Sequence, residues 1–174
     1  MDAALERTRG LRLMAFDVDG VLTDGALYLT DGGEEMKRFH TLDGLGLKLL
    51  AGAGVELALI TGRSSRVVAN RAAELGIRHL FQGADDKLAV LEGLRSQLGL
   101  ALSACGYMGD DLPDLPLLVR CGFAATVPDA PEAVRARAHY VSRRPGGHGA
   151  VREVCEAILA ARGALDGAVG RYLA

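Results

Sequence analysis

Three apolar runs in this chain each stop abruptly at a polar, glycine-bearing turn, and that recurrence narrows the fold more than any other feature. Leu11 to Phe16 runs into Asp17-Val18-Asp19-Gly20, Val55 to Ile60 into Thr61-Gly62-Arg63, and Ala104 to Met108 into Gly109-Asp110-Asp111. Short continuous apolar runs closed in this way read as buried strands. His79 to Phe81, Phe123 to Val127 and His139 to Val141 are shorter candidates of the same kind. Helical patterns lie between them: Leu45 to Leu50, Ser64 to Leu75 closed by Gly76, Asp86 to Leu98 with Leu88, Leu91, Leu94 and Leu98 on one stripe, and Ala150 to Ala161 before Gly163. Strands alternating with helices imply right-handed crossovers and an α/β, doubly wound, Rossmann-like parallel sheet with helices on both faces.

One segment breaks the alternation. Ala26 to Thr30 and Glu35 to Thr41 flank Asp31-Gly32-Gly33, which predicts a β-hairpin over about 26–41 projecting from the sheet after its first strand. No repeat, low-complexity tract or linker divides the rest. At 174 residues the chain reads as a single domain, 1–174, with a loop at Arg143 to Gly147 and a C-terminal tail over about 162–174.

Charge and composition exclude several functions. A net charge of -2 provides no basic footprint for nucleic acid, whereas a small anionic substrate needs only local positive charge. Met1 to Arg12 lacks the apolar core of a secretory signal, and no apolar run approaches membrane-spanning length, so no membrane partner and a cytoplasmic location are expected. Cys105, Cys121 and Cys155 form neither a CxxC pair nor a disulfide framework, and the four histidines are scattered without zinc-ligand spacing.

Ligands of open parallel sheets bind beyond the carboxyl ends of the strands, which gathers Asp17, Asp19, Thr61, Asp110 and Asp111 on one rim. Lys87, opening the helix after Gly83, reaches the same rim. Each of these residues alone is ordinary: Asp-Gly marks turns, threonine caps helices, and a lysine is usually a solvated charge. Their joint occurrence at strand ends makes that bland account improbable. Together they suit phosphoryl transfer, with an aspartate as nucleophile, Asp17 and Asp110 holding Mg²⁺, and Lys87 and the Thr61 hydroxyl binding phosphoryl oxygens. Asp19 is placed to protonate the departing alkoxide and then deprotonate water, which requires its environment to differ from that of Asp17.

Asp17-Val18-Asp19-Gly20-Val21-Leu22-Thr23-Asp24-Gly25, Ile60-Thr61-Gly62-Arg63, Lys87 and Gly109-Asp110-Asp111 resemble the four motifs of haloacid dehalogenase-type phosphatases. The hairpin, Phe39-His40-Thr41-Leu42-Asp43-Gly44 and Gly146-Gly147-His148-Gly149-Ala150-Val151-Arg152-Glu153 further resemble the capless subgroup that acts on 3-deoxy-D-manno-octulosonate 8-phosphate. The resemblance implies a magnesium-dependent phosphatase in lipopolysaccharide precursor synthesis whose substrate is a small phosphorylated sugar acid. It implies Asp17, Asp19, Thr61 and Lys87 as catalytic residues and Asp17, Asp19 and Asp110 at the metal, with Asp111 and Asp114 supporting them. Gly62, Arg63, Arg71 and Arg143 are the implied substrate contacts, guanidinium gripping carboxylate bidentately. It also implies no cap domain and a homotetramer in which a neighbouring subunit completes each site. His148 and Leu42 depart from the residues usual in such relatives, which leaves the contacts of those loops open.

Three other readings compete. A phosphatase for a nine-carbon sugar acid 9-phosphate shares the motifs, but Arg63 stands where those enzymes tend to carry an acid. In a receiver domain the acceptor aspartate ends the third strand, which the Asp-x-Asp spacing and the hairpin here do not fit. A phosphatase-like oligomerisation module without activity is opposed by the complete set Asp17, Asp19, Thr61, Lys87 and Asp110.

Overall fold

The computed structural model describes residues 3–173, so Met1, Asp2 and Ala174 of the predicted span and tail lie outside the described residues. Six parallel strands form one sheet: β1 (Leu13–Phe16), β4 (Glu56–Ile60), β5 (His79–Phe81), β6 (Cys105–Met108), β7 (Phe123–Thr126) and β8 (Tyr140–Val141), in spatial order β5-β4-β1-β6-β7-β8. All four residues of β1 are fully buried. Burying an apolar side chain of this size is worth about 1.5–3 kcal/mol, which explains why the run has no polar alternation. In β6, Gly106 leaves the space that Met14 and Leu11 fill, since a Cβ there would stand 2.6 Å from the Met14 sulfur.

Helices α2 (Thr41–Gly52) and α7 (Ala150–Ala161) pack against each other, with α1 (Ala3–Glu6) and α8 (Leu165–Gly170) attached to α7. A second group contains α4 (Lys87–Gln97) and α5 (Leu115–Leu118), while α3 (Arg66–Leu75) and the short α6 (Glu132–Arg135) complete the set. Gly46 permits the close approach of α2 to α7, because a Cβ there would meet the Arg152 Cα at 3.0 Å. Gly149 caps α7 without a side chain. The missing acceptor comes from across the interface, where buried Asp43 of α2 takes the N–H groups of Gly149 (3.3 Å) and Arg152 (2.8 Å).

The predicted strands and long helices are present, with shifted ends. Ser65 and Asp86, read as the first turns of helices, are their caps, accepting from Val68 and Ala89 N–H. The helix expected over Leu45 to Leu50 is twice that length because His40 caps it, its ring accepting the Leu42 N–H at 3.1 Å. That cap also shortens the hairpin predicted over 26–41. Antiparallel pairing is confined to β2 (Tyr28–Leu29) and β3 (Glu35–Met36), and Thr41 belongs to α2.

The loop between β8 and α7 folds back on the loop after β1. Gly147 N–H donates to the Val21 carbonyl (3.0 Å), and a Cβ on Gly146 would overlap the Gly20 carbonyl oxygen. Backbone against backbone cannot yield as a flexible side chain does. Gly146→Ala is therefore expected to lower stability by about 1–3 kcal/mol, measured as a shift of the urea midpoint at unchanged slope.

Candidate active site

Asp17, Thr61 and Gly109 each sit one step past a strand and are locked there by the continuing ladder. Asp17 N–H donates to Met108 O (2.9 Å), Thr61 N–H to Phe81 O (3.0 Å) and Gly109 N–H to Ala125 O (3.2 Å). Beyond Asp17 the chain turns tightly: Val21, Leu22 and Thr23 N–H all point at the Val18 carbonyl, and Gly20 takes φ +84°. The Thr23 hydroxyl accepts the Gly20 and Gly25 N–H groups at 3.4 and 3.2 Å, fixing the loop from inside. Gly109 has no room for a Cβ because the Asp114 side chain occupies it, and its carbonyl accepts the Thr126 hydroxyl at 2.7 Å.

Lys87 lies at the centre. Its ammonium is 2.7 Å from Asp17 Oδ2 and 2.7 Å from Asp114 Oδ1, and only 6% of its side chain is exposed. Asp114 is fully buried and further accepts the Tyr107 hydroxyl (2.7 Å) and the N–H groups of Asp110 (2.9 Å) and Asp111 (3.2 Å). Oxygens of Asp17, Asp110 and Asp114 all lie within 4.8 Å of one another. Burial first, and then the Asp114 charge, raise the Asp17 pKa to about 6 against the opposing pull of Lys87. Burial, followed by the charges of Asp17, Asp114 and Asp111, raises Asp110 to about 7. Burial works against the charge on Lys87, but the two carboxylates outweigh it and raise its pKa. The cluster thus carries more negative charge than one ammonium compensates. A hard dication fits that donor set, all carboxylate oxygen, and the charge it lacks.

Asp17, Asp19, Thr61, Gly62, Arg63, Lys87, Asp110, Asp111 and Asp114 line one cleft of about 530 Å³. The Asp19 carboxylate, expected at the metal, is not among the three that converge. It faces Lys37 (2.5 Å) and, more distantly, Arg63 (3.9 Å). Asp111 accepts the Leu112 N–H and caps the turn leading to Asp114. Arg71 and Arg143 are not among the residues lining this cleft. Arg71 pairs with Glu74 (2.8 Å) and lies over the Phe39 ring (5.8 Å), and Arg143 pairs with Glu153 (3.2 Å).

Tyr107, Lys37, Glu35 and Ser65 were not singled out in the sequence. Tyr107 reads there as one more apolar strand residue. For Glu35 and Lys37 the signal was present, since alternation along a strand puts them on one face and Met36, 66% exposed, on the other. The cysteines are buried, and burial pushes the Cys121 thiol up to about 12, which removes it as a nucleophile at neutral pH.

No protein-family model matches the chain. Individual proteins match it over nearly its whole length. It is 43% identical over 169 residues, 97% of this chain and 90% of the relative, to the 3-deoxy-D-manno-octulosonate 8-phosphate phosphatase of Yersinia pestis. The enzyme of the same name from Escherichia coli strain K12 matches to the same identity and extent. Among solved structures, the 3-deoxy-D-manno-octulosonate 8-phosphate phosphatase from Moraxella catarrhalis, in complex with magnesium ion, phosphate ion and KDO, has a TM-score of 0.97 at 47% identity, covering 99% of each chain.

The raised carboxyl pKa values set a pH dependence with a definite sign. Between the ordinary aspartate value of about 3.9 and their folded values of about 6 and about 7, Asp17 and Asp110 bind protons in the folded metal-free protein that the unfolded chain has released. Metal-free stability therefore falls as pH rises through that window. Mg²⁺, which binds the deprotonated carboxylates, reverses the trend. Urea unfolding with EDTA and with one fixed Mg²⁺ concentration, chosen to saturate the site only at pH 8, is expected to give curves that nearly coincide at pH 5 and separate by a few kcal/mol by pH 8.

Proposed function

The chain belongs to the 3-deoxy-D-manno-octulosonate 8-phosphate phosphatase family of the haloacid dehalogenase superfamily, and we propose that it hydrolyses this ester with Mg²⁺ as cofactor. The products are 3-deoxy-D-manno-octulosonate, a precursor of lipopolysaccharide, and inorganic phosphate. The observation that carries the reading at residue level is the Lys87 bridge, which holds Asp17 and Asp114 beside Asp110 at the carboxyl ends of the central strands.

Asp17 and Asp110 would hold the Mg²⁺, with the buried Asp114 charge beside them, and the ion would offset the repulsion between the carboxylates and the anionic ester and polarise the phosphoryl oxygens. An Asp17 oxygen forms the new bond to phosphorus while the bond to the sugar oxygen breaks. Asp19 gives that oxygen its proton. Water then attacks the aspartyl-phosphate, with Asp19 taking the proton, and phosphate leaves. Lys87 offsets charge on the phosphoryl group, and the Thr61 hydroxyl, held 2% exposed at the cleft floor, donates to one of its oxygens. Arg63, half exposed on the cleft wall, is the guanidinium that in this reading meets the sugar carboxylate.

A homotetramer accounts for the hairpin. Leu27, Tyr28, Leu29 and Met36 are 53%, 43%, 62% and 66% exposed on a two-stranded ribbon that has little stability of its own. Arg71 and Arg143, away from their own cleft, reach substrate in this reading only through a neighbouring subunit. Three buried free thiols suit a reducing cytoplasmic location.

The test is phosphate release with Mg²⁺ from 3-deoxy-D-manno-octulosonate 8-phosphate, a nine-carbon sugar acid 9-phosphate and a generic ester. The eight-carbon ester is expected to give a kcat/KM at least about tenfold above both others, a difference of about 1.4 kcal/mol in transition-state binding. Preference for the nine-carbon ester would overturn the substrate.

A further inference from the structure

The hairpin presents its residues the wrong way round. Its apolar side chains face solvent, while Lys37, one residue past β3, has a side chain only 2% exposed. An ammonium withdrawn from water costs several kcal/mol unless it is paired. Lys37 is paired twice, at 2.5 Å with Asp19 Oδ1 and at 3.1 Å with Glu35. Glu35 is itself anchored, its other oxygen accepting the Ser65 hydroxyl at 2.5 Å. Ser65 is 7% exposed, caps α3 two residues after Thr61-Gly62-Arg63, and donates its N–H to Gln82 at 2.7 Å. A continuous chain of contacts therefore runs from the α3 cap through Glu35 and Lys37 to Asp19.

Asp19 has little else to hold it. Among the described residues, Lys37 donates the one hydrogen bond its carboxylate accepts, and Arg63 stands at 3.9 Å from Oδ2. One carboxylate oxygen is thus tied, and the other, on a residue that lines the cleft, has only the Arg63 guanidinium near it. Proton transfer in a transition state needs the acid held within a fraction of an ångström of its productive place.

Resting on the phosphatase reading above, we propose that Lys37 is the positioning residue for the acid-base Asp19, and that the hairpin reaches into the reaction through it. When the phosphorus–oxygen bond to the sugar breaks, its electron pair stays on the sugar oxygen, which takes the proton from Asp19 Oδ2. The carboxylate so formed remains against Lys37. In the second half-reaction the same oxygen takes a proton from the attacking water.

The experiment compares two esters in single turnover with enzyme in excess and Mg²⁺ present. A sugar phosphate needs a proton on its departing oxygen, whereas p-nitrophenyl phosphate departs without one. For Lys37→Met, the ratio of sugar-ester to aryl-ester rate is expected to fall at least about tenfold, within the range that general acid catalysis supplies. Lys37→Arg, which restores a cation, is expected to recover most of the ratio. Glu35→Gln, which loosens Lys37 without removing it, serves should the methionine variant not fold, and is expected to lower the ratio by a smaller factor. A ratio within about twofold of the parent in the folded variants, with both esters slowed alike or neither slowed, overturns the positioning role while leaving the phosphatase reading intact. A parent that releases phosphate from no ester overturns that reading and the positioning role with it.

Discussion

One buried ammonium makes the carboxyl end of this sheet tenable. Lys87 stands 2.7 Å from both Asp17 and Asp114, with Asp110 close by, and without it three carboxylates would share a nearly dry space with no positive charge among them. Like charges in such a space resist joint ionisation, which is why Asp17 and Asp110 are raised even with Lys87 present. The residual excess of negative charge is the property a divalent cation answers.

The fold is arranged around that contact. Lys87 comes from the start of α4, Asp17 from the end of β1, and Asp114 from the turn after β6, so three separate crossovers must place their termini to within hydrogen-bond tolerance. The parallel ladder supplies the accuracy, because Phe16 is in register with both Leu59 and Met108. Glycine supplies the space at Gly20, Gly109 and Gly146, where a Cβ would strike Asp110, Asp114 or the Gly20 carbonyl. Such burial of charge is poor for stability taken alone, and the fully apolar β1 and the α2–α7 interface offset it.

Much of this was legible in the sequence because strand ends are legible. Asp17, Thr61, Asp110 and Lys87 follow apolar runs or open a helix, and the topology carries all such positions to one rim. Partners that depend on side-chain direction were not. Asp114 was read as a supporting residue and proves to be the second partner of Lys87. Asp19 was grouped with the metal ligands, although its carboxylate lies against Lys37. The inward turn of Lys37 was hidden by the reading of residues 26–41 as a projecting ribbon, in which a lysine is ordinarily solvated. Arg71 and Arg143 stand away from the cleft, paired with Glu74 and Glu153, neighbours that a helix and a loop bring near without any motif to announce them.

The central claim is that this charge balance makes Asp17 the nucleophile. Its most direct test is to quench a single turnover of the phosphate ester with acid and map the phosphorylated peptide by mass spectrometry. A phosphoryl group on Asp17 is the predicted result. Phosphate released at full rate with the group trapped on another carboxylate, or on none at any time point, would contradict the account.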